Sequence, residues 1–395
     1  MRKFKMSAAV AAGCSLVAMA GSVNAETLRF AYGHPPGSIL DYSANVFAET
    51  VAAVEGADLE VRNFPLSLLN LMETSEGLAT GLADIGALMT PIFPREYPHI
   101  NLAIELSSTL LLDDSHADEA QGVLFGSVIT DFVLNDCPGC LEDFKKRNNV
   151  FTSAAGSTPY SLTCTKPYVE LDDLKDAAMR ISGPYWARWS TAIGARAVTV
   201  SGNEMLEALS QGIVDCVLLS VPDVFNFGLG DLVTDITEGA PGGVFVTSAA
   251  QMNRDTWLSL NPLQRETIMK AAGAGAAATS MRYQALLDDV RAKSAAGEIK
   301  TKLHQAAPSL SNATKAFVEE DVASLVTSYA ETYGVTDGDQ IVETIKARIA
   351  EWRTKLADVT TEEELAQLYW DEIYAKIDFS TYAGVPASHG GHDED

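Results

Sequence analysis

Basic residues are scarce in this chain. Of its 395 residues, 28 are Lys or Arg and 53 are Asp or Glu, which gives a formal net charge of −25 at pH 7. Such a charge argues against nucleic acid and anionic membranes as partners, because both repel an acidic protein. An anionic ligand is likewise not attracted by the protein as a whole. Any site that binds an anion therefore has to be a local region of positive charge.

Long apolar runs are also missing. No segment approaches the roughly 20 apolar residues that a membrane-spanning helix needs. A shorter run, Ala8–Ala20, follows three cations near the start and precedes Val23–Ala25, a small-residue cleavage site. This pattern predicts a secretory signal peptide over residues 1–25 and an exported protein without stable membrane insertion. Gly13-Cys14 leaves a lipid anchor as the alternative.

Signatures of enzymes and metal sites are absent from the sequence. It contains no G-x-S-x-G elbow, no H-E-x-x-H, no P-loop and no G-x-G-x-x-G after a strand. None of the six histidines is placed with Cys or Asp at the spacing of metal ligands. Acidic pairs are frequent, but coincidence explains them in so acidic a chain. We therefore predict a protein that is not an enzyme and uses no cofactor or metal.

Cysteines are few, and four follow the predicted signal: Cys137, Cys140, Cys164 and Cys216. In an oxidising compartment they could pair in three ways. A local disulfide between Cys137 and Cys140 at a helix end is favoured over zinc or redox chemistry, because no thioredoxin-like strand–turn–helix surrounds them. Cys164 and Cys216 lie in strand-like runs, which is compatible with a disulfide between neighbouring strands.

Strands and helices alternate in the first part of the chain. Leu28–Tyr32, Asp58–Phe64 and Asp84–Met89 have the pattern of strands, and Ile39–Val54 and Leu71–Leu78 that of helices. This alternation predicts an α/β fold with parallel strands.

After residue 250 the pattern becomes helical. Asn261 caps and Pro262 starts a long Ala-rich helix that continues to about Lys293. Three further helices are predicted at Ala313–Tyr333, Gln340–Leu356 and Thr361–Ile377. Residues 386–395 are polar and predicted to be disordered.

A faint internal duplication predicts two similar lobes. Leu78–Leu88 aligns with Leu209–Leu219: in each segment a helix ends at a glycine, and a turn with Asp leads into a buried strand. Ser201 and Glu204 form an S-x-x-E capping box before the second copy. Ligands of open α/β sheets bind at the carboxyl ends of strands. We therefore expect the binding residues near those ends.

Arg180 is the most informative of the candidate binding residues. It is a lone arginine in the short apolar segment Met179–Gly183, and Pro184 follows directly. The pattern indicates the edge of a strand that opens into a loop. The planar guanidinium can hold a carboxylate with two hydrogen bonds. A structural salt bridge is the alternative.

Aromatic and polar residues accompany Arg180 at the predicted strand ends. Tyr160 begins a strand-like run, and Trp186 and Trp189 lie on one helical face, where core packing is an equally good interpretation. The candidate ligand-binding residues are Arg180, Tyr160, Ser220, Trp186, Tyr32, His34, Met89 and Phe225.

Four segments carry a family resemblance: Leu28–Ser38, Glu76–Met89, Leu171–Arg180 and Glu204–Asp215. In them the chain resembles the extracytoplasmic solute receptors of TRAP transporters, a family of dicarboxylate-binding periplasmic proteins, from Glu26 to about Lys300. The resemblance implies two α/β lobes with mixed sheets, joined by strands and a long helix that spans both lobes. It also implies a periplasmic location and places the family's carboxylate-binding arginine at Arg180.

The implied lobe limits are 26–157 with 246–285 and 158–245 with 286–315. The implied crossings lie near Tyr160 and at Ala240–Ala250. Extra C-terminal helices at 316–385 are longer than usual for the family and have no predicted role.

Two departures from the family pattern make the expected site more apolar. Many relatives have a basic residue where this chain has Tyr160. They also have a polar run where this chain has Val217–Leu219, so that Ser220 is the first hydroxyl. We therefore expect a monocarboxylate with an apolar or aromatic body, or a zwitterion whose cation stacks on Trp or Tyr.

The resemblance implies delivery of this ligand to a sodium-driven permease made of a small and a large membrane subunit. Two alternatives remain open from the sequence: a receptor that feeds a sensor, and a periplasmic enzyme of an unrecognised class.

Overall fold

The computed structural model describes residues 25–384. The predicted signal sequence up to residue 24 and the predicted tail at 386–395 lie outside them. The strands are β1 (Glu26–Tyr32), β2 (Leu59–Pro65), β3 (Ile85–Leu88), β4 (Asn149–Val150), β5 (Ala155–Cys164), β6 (Ala178–Ile181), β7 (Arg196–Thr199), β8 (Cys216–Ser220), β9 (Asp235–Asn253) and β10 (Lys302–Gln305).

The α-helices alternate with these strands and then dominate the last third of the described chain. They are α1 (Ile39–Ala52), α2 (Thr74–Ala79), α3 (Pro98–Glu105), α4 (Gln121–Asn135), α5 (Pro138–Lys146), α6 (Pro184–Ala192), α7 (Met205–Ser210), α8 (Asp223–Asn226), α9 (Arg254–Ser259), α10 (Pro262–Ala296), α11 (Pro308–Tyr333), α12 (Gly338–Lys355) and α13 (Glu362–Glu372).

One mixed sheet runs through the molecule in the order β2-β1-β3-β9-β5-β8-β6-β7, with β4 and β10 paired to β9. Its two ends are parallel: β1 pairs with β2 and β3, and β6 with β7 and β8. The long strand β9 and its neighbour β5 are antiparallel to each other and to the ends they join. The predicted α/β class is confirmed.

Two hydrophobic cores lie on either side of the antiparallel pair. The first core draws on residues from 28–155, 244–283 and 325–374, and the second on residues from 160–240 and 287–318. Strands β5 and β9 and helix α10 contribute to both cores, as the strands and the long helix implied by the resemblance would, and helix α11 contributes to both cores as well. At about 1.5 Å per residue, the 35 residues of α10 span ~50 Å, enough to reach both cores.

The predicted duplication is visible in the structure. Helices α2 and α7 each have six residues, and Gly81 and Gly212 follow them with φ of 72° and 67°. The carboxylates of Asp84 and Asp215 then accept a backbone N–H from β1 and β6, each at 2.8 Å. Both Asp residues thus fasten the start of a buried strand to the strand beside it.

The capping box predicted at Ser201 and Glu204 is wrong. Ser201 precedes a single 3₁₀ turn, Gly202–Glu204, and its side chain makes no capping hydrogen bond. Helix α7 begins only after this turn, so Glu204 is at its N-cap position. In contrast, the predicted cap at Asn261 forms, and Gln264 completes its box.

The favoured pair Cys137–Cys140 is a disulfide in the structure, and so is Cys164–Cys216, the pairing that the sequence left open. Cys137–Cys140 lies at the start of α5, and Cys164–Cys216 joins residues that face each other on β5 and β8.

The C-terminal helices belong to the first core. Trp352 is fully buried and its indole N–H donates to Asp131 of α4 at 2.9 Å, and the hydroxyl of Tyr369 contacts Ser127 at 2.9 Å. The limit predicted at residue 316 falls inside α11, and the lobe limits stay a prediction. Within residues 25–384, no helix is long and apolar enough to cross a membrane.

Candidate functional site

A small cavity of about 50 Å³ lies between the two cores, next to the carboxyl ends of β3, β6 and β8. Its polar lining residues are His34, Ser157, Tyr160, Arg180, Ser182, Asp223, Thr247 and Tyr283. Its apolar lining residues are Leu40, Leu71, Met89, Ile92, Met205, Leu219, Phe227 and Phe245. The cavity thus joins an extensive apolar wall to a few polar groups, as small-molecule sites do.

Arg180 of β6 is 6% exposed and has no charged partner among residues 25–384. Its Nε donates to the backbone oxygen of Val200 at 2.9 Å, and Nη1 donates to the hydroxyl of Ser182. Burial lowers the pKa of Arg180, although a guanidinium remains charged. Within the described chain Nη2 makes no hydrogen bond, so this edge of the fork is available to an anion. These contacts do not support the structural salt bridge.

Asp223 is a second buried charge on the cavity wall. It begins α8, is 5% exposed, and accepts hydrogen bonds from Ser220, Asn226 and Tyr283 at 2.6, 2.7 and 2.8 Å. Burial raises the pKa of Asp223, and the three donors oppose that rise. The sequence prediction missed this residue. The available signal was an Asp after Pro222 at a helix start, next to a predicted strand end.

His34 lies beyond the end of β1 and is 4% exposed. Its ring is 5.3 Å from that of Phe227, and its Nδ1 has no hydrogen-bond partner in the described residues. Burial lowers the pKa of His34 to about 4, so the imidazole is neutral at neutral pH. A neutral ring can accept or donate one hydrogen bond to a ligand without adding charge.

Three aromatic rings, from β5, α6 and β9, pack against one another beside the cavity. The ring centroid of Tyr160 is 4.4 Å from that of Trp186 and 5.7 Å from that of Phe245, and the centroids of Trp186 and Phe245 are 5.8 Å apart, so the three rings form a triangle. Trp186 lies behind Tyr160 and its indole N–H donates to the backbone oxygen of Gly242 at 3.0 Å. The cluster of three rings presents Tyr160 and Phe245 to the cavity and anchors them against the second core.

The structure brings four of the eight predicted residues to the cavity: His34, Met89, Tyr160 and Arg180. Ser220 and Trp186 lie just behind the wall, where they support Asp223 and Tyr160, respectively.

The other two predicted residues are displaced from the cavity. Tyr32 is fully buried in the first core, where its hydroxyl donates to Asp41 at 2.6 Å. Phe225 is 44% exposed on the outside of α8, because the chain turns there and presents Phe227 instead. The prediction that Phe225 lines the cavity is therefore corrected: Phe227 lines it instead.

Two hydrogen bonds hold the lobes together beside the cavity. The backbone N–H of Ile39 donates to the side-chain oxygen of Asn226 at 3.3 Å, and the amide of Asn203 donates to the backbone oxygen of Gly33 at 3.0 Å. Both join the region after β1 to the second lobe. This arrangement is a closed cleft whose walls come from both lobes.

Replacing His34 with Gln should change how stability depends on pH. Since the histidine pKa falls from ~6.5 in the unfolded chain to about 4 in the fold, only the unfolded chain binds a proton between these values. The wild type therefore loses stability as pH falls through this window, by up to about 3 kcal/mol. Denaturant unfolding from pH 7 to 4 should show the stability of H34Q rising relative to the wild type. A difference that stays constant with pH would contradict the buried neutral imidazole.

A closed cleft in a two-lobed α/β fold, with a buried arginine that has no ionic partner within residues 25–384, is the arrangement of a solute receptor, and the comparisons agree. Residues 30–328 match the family model described as bacterial extracellular solute-binding protein, family 7 (DctP), and the chain belongs to this family. Members are solute-binding receptors, not enzymes. No curated protein sequence matches the chain.

Solved TRAP receptors share the fold at low sequence identity. The pyroglutamic acid receptor DctP7 of Bordetella pertussis is 18% identical with a TM-score of 0.68, over 82% of this chain and 100% of that one. The ectoine-binding protein of the Halomonas elongata TeaABC transporter is 17% identical with a TM-score of 0.67, over 82% of this chain and 100% of that one. A marine metagenome receptor for aromatic acids is 20% identical with a TM-score of 0.67, over 82% of this chain and 98% of that one.

Proposed function

We propose that this protein is the periplasmic receptor of a TRAP transporter. It captures a small organic carboxylate in the interlobe cleft and delivers it to a sodium-coupled permease made of a small and a large membrane subunit. The observation that carries the proposal is the buried guanidinium of Arg180, which lines the cavity and whose Nη2 makes no hydrogen bond within residues 25–384. A buried cation without an ionic partner is costly, and a ligand carboxylate would supply that partner.

The cavity favours a ligand with one carboxylate. Arg180 is the only Lys or Arg among the described residues that line it, and Tyr160 occupies the position of a second basic group in many relatives. Half of the lining is apolar, which suits an apolar or aromatic ligand body or the body of a zwitterion. The related receptors with pyroglutamate, ectoine or aromatic acids support this range of ligands.

A thermal-shift screen of mono- and dicarboxylates, aromatic acids and betaine-like solutes tests the proposal. A ligand at about 100 times its Kd adds ~2.7 kcal/mol to the free energy of unfolding. We expect such shifts from monocarboxylates or zwitterions and none from dicarboxylates, because a second carboxylate would find no cation. A response to dicarboxylates alone would contradict the assignment of the ligand class. Uptake by the reconstituted permease subunits that depends on this receptor would test the delivery step.

A further inference from the structure

The cavity contains one charge of each sign. Arg180 and Asp223 are 6% and 5% exposed, and they are the only Lys, Arg, Asp or Glu among the described residues on the cavity wall. They do not form an ion pair with each other: Arg180 donates to Val200 and Ser182, and Asp223 accepts from other residues. A bound monocarboxylate would neutralise Arg180 and leave Asp223 as an uncompensated buried charge.

The carboxylate of Asp223 is held in a fixed orientation with one acceptor position left over. Oδ1 accepts from Asn226 and Tyr283, and Oδ2 accepts from Ser220. A carboxylate has about four lone-pair sites, so Oδ1 is fully used and Oδ2 can accept once more. The three donors come from the end of β8, from α8 and from α10, and together they fix where the free position of Oδ2 lies.

The same network reaches the contact that closes the cleft. Asn226 donates to Asp223 at 2.7 Å, and its side-chain oxygen accepts the backbone N–H of Ile39 from the other lobe at 3.3 Å. A ligand group that binds Asp223 therefore also steadies the residue that joins the lobes. A carboxylate that served only to balance the charge of Arg180 would not need this support.

We infer that the ligand carries an N–H group as well as its carboxylate, and that this N–H donates to Oδ2 of Asp223 while the carboxylate lies on Arg180. The inference rests on the proposed function, which it narrows from carboxylates in general to N–H-bearing carboxylates. A cationic N–H group makes the ligand neutral overall and balances both buried charges. A lactam N–H makes the same hydrogen bond without balancing the charge of Asp223.

Matched pairs of ligands test the inference by calorimetry on the mature protein. Pipecolate and cyclohexanecarboxylate, and proline and cyclopentanecarboxylate, have the same ring size and differ in a cationic N–H₂ against a CH₂ group. Pyroglutamate and its carbocyclic ketone analogue make the same comparison for a neutral N–H. We expect the wild type to bind the N–H member of at least one pair roughly 10- to 100-fold more tightly, the usual effect of a hydrogen bond to a charged group.

Asp223→Asn replaces Oδ2 with an NH₂ group of the same shape and should abolish this preference. The N–H ligands lose affinity, because two donors then face each other, and the CH₂ ligands lose none. Asp231→Asn is the matched control: it removes the same charge eight positions along, at an exposed site, and should leave both affinities unchanged. The pair comparison in the wild type needs no variant, so it decides the question even if Asp223→Asn does not fold.

Three outcomes are distinguishable. A wild-type preference for N–H ligands that Asp223→Asn removes supports the inference. Arg180-dependent binding without such a preference, including binding of aromatic acids alone, overturns the inference and leaves the receptor function intact. No binding of any carboxylate, or binding that survives Arg180→Ala unchanged, overturns both.

Discussion

Replacement of Arg180 with alanine is expected to weaken ligand binding by roughly 2–4 kcal/mol, which is about a 30- to 700-fold rise in Kd. The variant leaves the ligand carboxylate in a buried cleft without its cation. The ligand-free fold should be affected less, because Arg180 forms no ion pair among residues 25–384: two neutral acceptors lose a donor, and Asp223 loses the attraction of a cation that it does not contact. Calorimetry measures the change in ligand affinity. Thermal unfolding without ligand measures the change in the stability of the ligand-free fold.

Two further variants make this result specific. Arg180→Lys keeps the charge but loses the fork, so its affinity should lie between those of the wild type and Arg180→Ala. Arg196→Ala removes an exposed arginine from β7, whose Nε donates to the backbone oxygen of Asp176, and it should bind normally. Unchanged affinity for the ligand in Arg180→Ala would contradict the proposed role of Arg180 in binding the ligand carboxylate.

Replacement of Arg188 with alanine is expected to give the largest loss of stability, roughly 2–4 kcal/mol. Arg188 of α6 donates to Asp321 of α11 at 2.6 and 2.8 Å and also binds Glu105 at the end of α3. The carboxylates of Glu105 and Asp321 are both 6% exposed, so the variant leaves two buried negative charges together. Burial already raises the pKa of Glu105 in the wild type, and the variant loses the cation that opposes that rise, so that the hydrogen bond from Tyr329 remains to oppose it.

The stability of Arg188→Ala should also recover as the pH falls. A carboxyl whose pKa is raised in the fold takes up a proton there before the unfolded chain does, so acid favours the folded variant. Urea unfolding at pH 8 and pH 5 measures this recovery. As a control, Lys293→Ala breaks a surface pair whose two side chains are each 46% exposed, and its loss of stability should be far smaller than that of Arg188→Ala. Equal losses of stability in the two variants would contradict the role of Arg188 as the cation of a buried cluster with Glu105 and Asp321.

Local sequence patterns were sufficient for most of the fold. The strand–helix alternation, the cap at Asn261, the long helix and the duplicated glycine–aspartate turns all depend on residues close in sequence, and all of them form. The box at Ser201 fails because a 3₁₀ turn intervenes before the helix, which a four-residue motif cannot reveal. The attachment of the C-terminal helices to the first core depends on contacts such as Trp352 with Asp131, more than 200 positions apart. No local pattern carries that information.

Sequence patterns predicted only part of the cavity wall. Arg180, His34, Met89 and Tyr160 could be placed near strand ends, and the structure puts them on the cavity wall. Phe225 and Phe227 differ by two positions on one short helical turn, and the sequence does not tell which of them faces inward. Asp223 was hidden for a different reason: among 53 acidic residues, a single carboxylate stands out only through its burial and its three donors.

The four segments that pass through both cores, β5, β9, α10 and α11, determine how the molecule can come apart. Because these segments each supply side chains to both lobes, neither lobe is a continuous stretch of the chain that could be cut out and folded by itself. Unfolding of one core would pull strands and helices out of the other. We therefore expect the two lobes to unfold as one cooperative unit and a solute bound between them to stabilise the whole polypeptide against unfolding.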